Sequence, residues 1–282
     1  MIKPTIFLLI LLIIHSQQEC INTPGVTTCK HEKLSAPITV KDYNNLLDFS
    51  KGSIEEIKVD TFKKVPNILS LYLGANKIRT IQPGALNGLS KITTISLQSN
   101  QLETIQNNVF TCPTLKELSL SLNKIRQIDS AAFVTLQNLL ELDLSFNKLT
   151  AVPEAIKSLS KLEKLRLDEN KIVTLSANSF GNLGKLLNLR LNNNGITNLH
   201  SHSLQNLIKL EDLDLRANYL SSLDTQSLTT DLKSLKVIRL NINSFKCGDL
   251  RKIVEGFEKK NVEVPGGTSK NPVTYKGMTC KN

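Results

Sequence analysis

The 282-residue chain has no tryptophan, and aromatic residues make up only 5% of it. Single-stranded nucleic acid is held on platforms of aromatic side chains, so no nucleic-acid partner is expected. Histidine is also scarce: there are four, and His15 lies in an apolar N-terminal segment. His200 and His202 stand two residues apart, with no cysteine or carboxylate cluster beside them in sequence. A metal site needs further ligands than these, so neither metal nor cofactor is expected. The chain contains no glycine-rich phosphate loop, nucleophile elbow or zinc-binding helix motif. Its acidic pairs lack an enclosing pocket that would tune them as acid and base, and the chain is not expected to be an enzyme. No N-x-S/T sequon occurs, since Asn22-Thr23-Pro24 fails at its third position.

Long apolar runs are limited to one. Lys3 precedes the stretch Ile6 to Ile14, and Ser16 offers a small residue for cleavage. The stretch is too short to span a bilayer and reads as a secretory signal peptide over residues 1–16, leaving Gln17 first in the mature chain. The polar segment from Tyr275 to Asn282 has no apolar tail of a lipid-anchor signal. A secreted, extracellular protein is expected.

What the chain does have is an asparagine every 23–25 residues: Asn76, Asn100, Asn123, Asn147, Asn170, Asn194, Asn218 and Asn243. Each sits in the frame L-x-x-L-x-L-x-x-N-x-L, as in Leu139/Leu142/Leu144/Asn147/Leu149 and Leu162/Leu165/Leu167/Asn170/Ile172. A degenerate copy precedes them, with Leu47, Phe49 and Ile54 in register and Gly52 in place of Asn. A period of this length signals a solenoid, because one unit cannot bury its apolar face alone. The L-x-L step puts two aliphatics on one face of a short strand and the residue between them on the other. A further apolar residue recurs five positions after each Asn, and another, often Phe, ten positions after it (Phe62, Phe110, Phe133, Phe180), to fill the core behind the strands. After Asn147 the segment Val152-Pro153-Glu154-Ala155-Ile156 breaks this pattern and shortens the back of its repeat.

The frame resembles that of the extracellular leucine-rich repeat (LRR) family, and the repeats are similar to those of Toll-like receptor ectodomains. The resemblance implies an α/β solenoid: a horseshoe with a parallel β-sheet on its concave face and irregular or short helical segments on its convex face. It also implies that the frame Asn, which carries both a donor and an acceptor, bonds backbone groups of adjacent turns in a ladder. Nine repeats are expected over residues 44–245, between an N-terminal cysteine cap at 17–43 and a C-terminal one at 246–282. Cys20 and Cys29 flank the array on one side, Cys247 and Cys280 on the other. The expected pairs are Cys20–Cys29 and Cys247–Cys280. The second closes a loop worth roughly 3–4 kcal/mol in the chain-entropy treatment. Leu250, Ile253, Val254 and Phe257 have helical spacing in the C-terminal cap. Cys112 has no partner. It is either a buried thiol or the link of a covalent dimer, so the chain is read as a monomer or a Cys112-linked dimer.

The net charge is +10. Lys246, Arg251, Lys252, Lys259, Lys260, Lys270, Lys276 and Lys281 concentrate in the C-terminal cap. This is either a solvated basic surface or a site for anionic polysaccharide or lipid. The concave face is read from the variable strand positions. Its N-terminal half is small and weakly polar around Tyr72. From Glu117 onward the sign alternates: Glu117, Glu141 and Asp143, then Lys164, Arg166 and Arg190 with Asp168 beside them, then Asp212, Asp214 and Arg216, then Arg239. Such a cluster is either a ladder of cross-strand salt bridges or an electrostatically patterned protein-binding site. Tyr72, Phe146 and Tyr219 are candidate aromatic anchors near the strand edges. The reading is a binding protein that takes an extracellular protein ligand or receptor on Tyr72, Glu117, Glu141, Asp143, Arg166, Asp168, Arg190, Asp212, Asp214, Arg216 and Arg239. Innate-immune recognition, or a decoy for a receptor's ligand, is the expected role, with a matrix protein that binds polyanions as the alternative.

Overall fold

In the computed structural model, residues 19–30, 34, 38, 45–200, 202–266 and 274–281 are described. The expected secretory segment and much of the N-terminal cap lie outside them. Each repeat frame forms a three-residue strand with its aliphatic residue in the middle, pointing inward. Eleven strands form one sheet, ordered as they occur in the chain. β1 (Glu19–Thr23) and β2 (Val26–Lys30) make an antiparallel hairpin. Nine parallel strands follow: β3 (Leu46–Asp48), β4 (Ser70–Tyr72), β5 (Thr94–Ser96), β6 (Glu117–Ser119), β7 (Glu141–Asp143), β8 (Lys164–Arg166), β9 (Asn188–Arg190), β10 (Asp212–Asp214) and β11 (Val237–Arg239). Their register places equivalent repeat positions side by side, as in Leu118↔Leu142 and Leu142↔Leu165.

Two devices turn the chain at the end of each strand. The first is the asparagine ladder. The Asn76 Nδ2 donates to the Phe49 carbonyl of the preceding turn at 2.9 Å and to its own Leu73 carbonyl at 3.0 Å, while Oδ1 accepts from the Ile54 amide at 3.1 Å. All eight ladder residues repeat this arrangement. Their cross-turn Nδ2 bonds measure 2.9–3.0 Å. Each side chain thereby satisfies backbone groups that burial would otherwise strand. The second device is a left-handed residue just before each Asn. Ala75, Ser99, Leu122, Phe146, Glu169, Asn193, Ala217 and Ile242 all have φ between +51° and +59°.

Behind the sheet, short two-residue strands pair in parallel: Glu56–Ile57 with Thr80–Ile81, Thr104–Ile105 with Gln127–Ile128, and Thr174–Leu175 with Asn198–Leu199. Phe62, Phe110, Phe133 and Phe180 are buried beneath this convex layer, with Phe110 and Phe133 ring centroids 6.1 Å apart. After Asn147 the layer is instead a 3₁₀ turn, Glu154–Ser158, that buries Ala155 and Ile156. Helix α1 (Thr225–Asp231) stands behind the eighth strand of the parallel array, and Asp224 caps it by accepting from the Ser227 amide.

Both ends are closed. Cys20 is bonded to Cys29 and Cys247 to Cys280. Helix α2 (Cys247–Glu258) lays Leu250, Ile253, Val254 and Phe257 over the open end of the core. The Glu263 carbonyl accepts from the Ile238 amide, so the free edge of β11 is covered.

Cys112 lies fully inside the core, and burial pushes its thiol up to about 12. A disulfide to a second chain needs a thiol at the surface, so the linked dimer is not available to the folded array. Cys112 acts as a small hydrophobe. Two outcomes follow. Native protein should resist thiol reagents that label it promptly in denaturant. Since the thiol titrates near 9.0 when unfolded, the unfolded state alone releases its proton between about 9 and 12, and stability should fall as pH rises through that window. A denaturant titration in that pH range, set against Cys112→Ala, isolates the effect. Separately, Asn147→Ala orphans buried carbonyls and an amide and should cost about 2–4 kcal/mol in chemical denaturation. Asn243→Ala, at the half-buried end of the ladder, should cost less.

Candidate ligand-binding face

The concave sheet has one side chain of each strand end facing out, about 4.8 Å from its neighbour on the next strand. Across β5 to β9 these side chains form a shallow groove of about 390 Å³, open to solvent. Glu117, Glu141 and Asp143 line one half, Lys164, Arg166 and Arg190 the other, and Thr94, Ser96, Ser119 and Asn188 contribute small polar surface. The sign change falls between β7 and β8, where register sets Glu141 beside Lys164 and Asp143 beside Arg166.

Many of these charges are occupied. Lys164 donates to Glu141, and that bond, with the carboxylate charge, holds its ammonium above the usual value. Arg166 reaches Asp143 at 3.6 Å and Asp168 at 3.3 Å, and its bond to Asp168 raises it further. Arg239 pairs with Asp212. Asp214 is fully buried. It accepts from Arg216 Nη2 at 2.6 Å, Arg216 Nε at 3.0 Å and the Arg216 amide at 3.1 Å. Asp143 likewise takes the Ser145 amide at 2.9 Å and the Ser145 hydroxyl at 2.6 Å. The acids of the central column thus hold the turns that leave their strands.

Two groups keep capacity. Glu117 is exposed and forms no ion pair or side-chain hydrogen bond among the described residues. Arg190 is half exposed, and among the described residues its one ionic contact is Asp214 at 3.7 Å, an acid whose oxygens Arg216 already fills. Glu117 on β6 and Arg190 on β9 stand three strands apart and two residues out of register, about 16 Å from each other.

Of the residues expected to bind, Glu117, Glu141, Asp143, Arg166 and Arg190 meet in the groove. Asp168 lies just outside its lining, paired with Arg166 where the chain leaves β8, and Asp212, Asp214, Arg216 and Arg239 lie outside it in ion pairs on the C-terminal side. Tyr72 is half buried on β4, beside Asp48 and Ser96 and also outside it. Phe146 and Tyr219 are exposed on the flank where the chain leaves the sheet, not on the concave face. The small polar lining residues were visible in the same columns, but without charge they carried no signal. On the convex side His202 Nδ1 lies 3.5 Å from Asp231. Among the described residues no group of three metal-ligating side chains converges.

A capped parallel solenoid with a patterned concave groove defines a binding scaffold. The family described as Leucine rich repeat matches residues 45–102, 90–149, 113–172, 141–196 and 160–220, and the chain belongs to it. Among solved structures, a chain of the TLR13–ssRNA13 complex shares 24% identity with a TM-score of 0.63 over 78% of this chain. This chain spans 36% of that one. A chain of the octameric complex of Latrophilin 3, Unc5D and FLRT2, in which FLRT2 is the LRR component, shares 23% identity with a TM-score of 0.62. That match covers 83% of this chain and 79% of the other. A comparison with curated proteins gives no match.

Asp214→Ala removes a buried acceptor of four bonds from Arg216 and should cost about 1–3 kcal/mol of stability. Arg190→Ala, an exposed partner with one long contact, should cost less than about 1 kcal/mol. Thermal melts of both variants distinguish the turn-holding acid from the spare base.

Proposed function

We propose that this protein is a secreted, non-catalytic recognition protein of innate immunity, free-standing or as a decoy, that holds a protein ligand in the concave groove over β5 to β9. The observation that carries the reading is the spare capacity at two well-separated points of that groove. Glu117 offers an unpaired carboxylate and Arg190 an under-used guanidinium, in a surface where other charges are paired with each other. A ligand presenting a basic group and an acidic group about 16 Å apart would satisfy both. An extended polypeptide fits that demand, because residues four apart lie on one face, about 14 Å from each other at about 3.4 Å per residue, and side-chain reach covers the rest. The acidic half of the groove disfavours a phosphate backbone, which supports a protein rather than a nucleic acid. The two disulfides support an oxidising, extracellular location.

The test is an affinity pull-down from native extracellular fluid with the chain lacking residues 1–16 and with its Glu117→Lys/Arg190→Glu double variant. Capture of a protein by the native form, reduced at least about tenfold in the variant, is the expected result. Equal capture by both would remove the concave face from the interaction. If that shared capture also vanished in high salt, the ligand would be a polyanion on the basic C-terminal cap.

A further inference from the structure

The flank formed by the turns that leave the concave strands carries residues that fold stability does not explain. Each turn requires a left-handed residue before the ladder asparagine. Asn, Asp and His are enriched in that conformation, whereas bulky and β-branched residues are outliers there. Asn193 fits, and Ala75, Ser99 and Ala217 put little side chain there. Leu122 (φ 54°), Phe146 (φ 54°), Glu169 (φ 54°) and Ile242 (φ 59°) are bulky. The apolar three gain little burial in exchange, Leu122, Phe146 and Ile242 being 50%, 44% and 65% exposed. Tyr219 and Val173 lie one and three residues past the ladder asparagines of their own turns, and both are exposed. Among the described residues, these make up five of the ten exposed large hydrophobics. They fall along one flank, over a length of about 24 Å from the turn of β6 to that of β11.

The charge on this flank is also unlike the rest. One residue past the asparagines, Lys124, Lys148 and Lys171 occupy three consecutive turns, about 5 Å apart. None of them is in an ion pair among the described residues, and the Lys124 ammonium finds only the Gln101 side-chain oxygen, at 3.4 Å. On the concave face the like neighbours Glu117/Glu141 and Arg166/Arg190 lie next to a sign boundary that sets Glu141 beside Lys164 and Asp143 beside Arg166. On the flank, Lys124 and Lys148 stand on the turns of Leu122 and Phe146, and the turn of Lys171 carries Glu169.

We propose that this flank docks the protein on an anionic lipid surface, with Leu122 and Phe146 entering the headgroup boundary and Lys124, Lys148 and Lys171 facing lipid phosphate or carboxylate. Surface binding of this kind adds buried apolar area to electrostatic attraction, and both parts are present side by side. A soluble polysaccharide would use the lysines but leave the strained apolar pair in water. A second copy of the chain would bring the two lysine rows together. The docking involves none of the groove residues, so it stands or falls apart from the concave reading.

The test is co-sedimentation with mixed phosphatidylserine/phosphatidylcholine vesicles and with pure phosphatidylcholine vesicles, using the chain lacking residues 1–16. L122N/F146N places a residue that tolerates the left-handed turn at both positions. Its melting temperature should match or exceed that of the parent, while its binding to the mixed vesicles falls about tenfold. K124E/K148E/K171E should lose the same binding, and the parent should bind pure phosphatidylcholine weakly. The proposal is overturned if the parent does not sediment with mixed vesicles, or if L122N/F146N binds them as the parent does. It is equally overturned if the chain forms a solution dimer that L122N/F146N abolishes while vesicle binding persists.

Discussion

Everything in this molecule depends on one buried amide side chain per turn. A chain that leaves a strand, reverses and returns to lie beside it must bury polar backbone at the corner. In the interior of a stack no water can serve those groups. The ladder asparagine supplies donor and acceptor together and bonds both its own turn and the one before. Aliphatic burial makes stacking favourable, but the amide fixes the position at which the turns stack. The exact strand-to-strand register, and hence every neighbour on the concave face, follows from it.

That register gives the two outward surfaces different charge logic. On the concave face, adjacent strands set Glu141 against Lys164, Asp143 against Arg166 and Asp214 against Arg190. Most of the charge is consumed internally, and the acids of the central column also hold backbone amides. What a ligand meets is the remainder, at Glu117 and Arg190. On the flank the lysines have no ionic partner among the described residues, and Leu122 and Phe146 on the same turns occupy strained backbone. The concave face is thus a mostly self-satisfied surface with two openings, whereas the flank is unsatisfied along much of its length.

The array was legible from sequence because its signal is redundant. Eight copies of one frame report the same strand, the same inward leucines and the same ladder. The helical spacing of Leu250, Ile253, Val254 and Phe257 likewise foretold α2. The columns of the concave face could be written down from the period alone, and Glu117, Glu141, Asp143, Arg166 and Arg190 do line one groove. What could not be read is which charges are spent. Asp214 and Glu117 look alike in sequence, yet one is sealed beneath Arg216 and the other is free. That difference depends on side-chain reach across strands, which no periodicity encodes. Phe146 and Tyr219 were placed near the strand edges without a face, because the left-handed turn that swings Phe146 aside leaves no mark in the hydrophobic pattern. The fate of Cys112 depended on the depth of the convex layer at its position, which the repeat frame does not specify.

The repeat after Asn147 is built differently behind the sheet. A solenoid's curvature is the sum of the small rotation that each repeat adds. Phe110, Phe133 and Phe180 fill the back of their own repeats, but Lys157 stands at the matching position between them, and a 3₁₀ turn buries Ala155 and Ile156 instead. This repeat joins β7 to β8, which is also where the concave face changes sign. One repeat therefore carries two departures at once, in the packing behind the sheet and in the charge in front of it, so a change in that repeat reaches both surfaces.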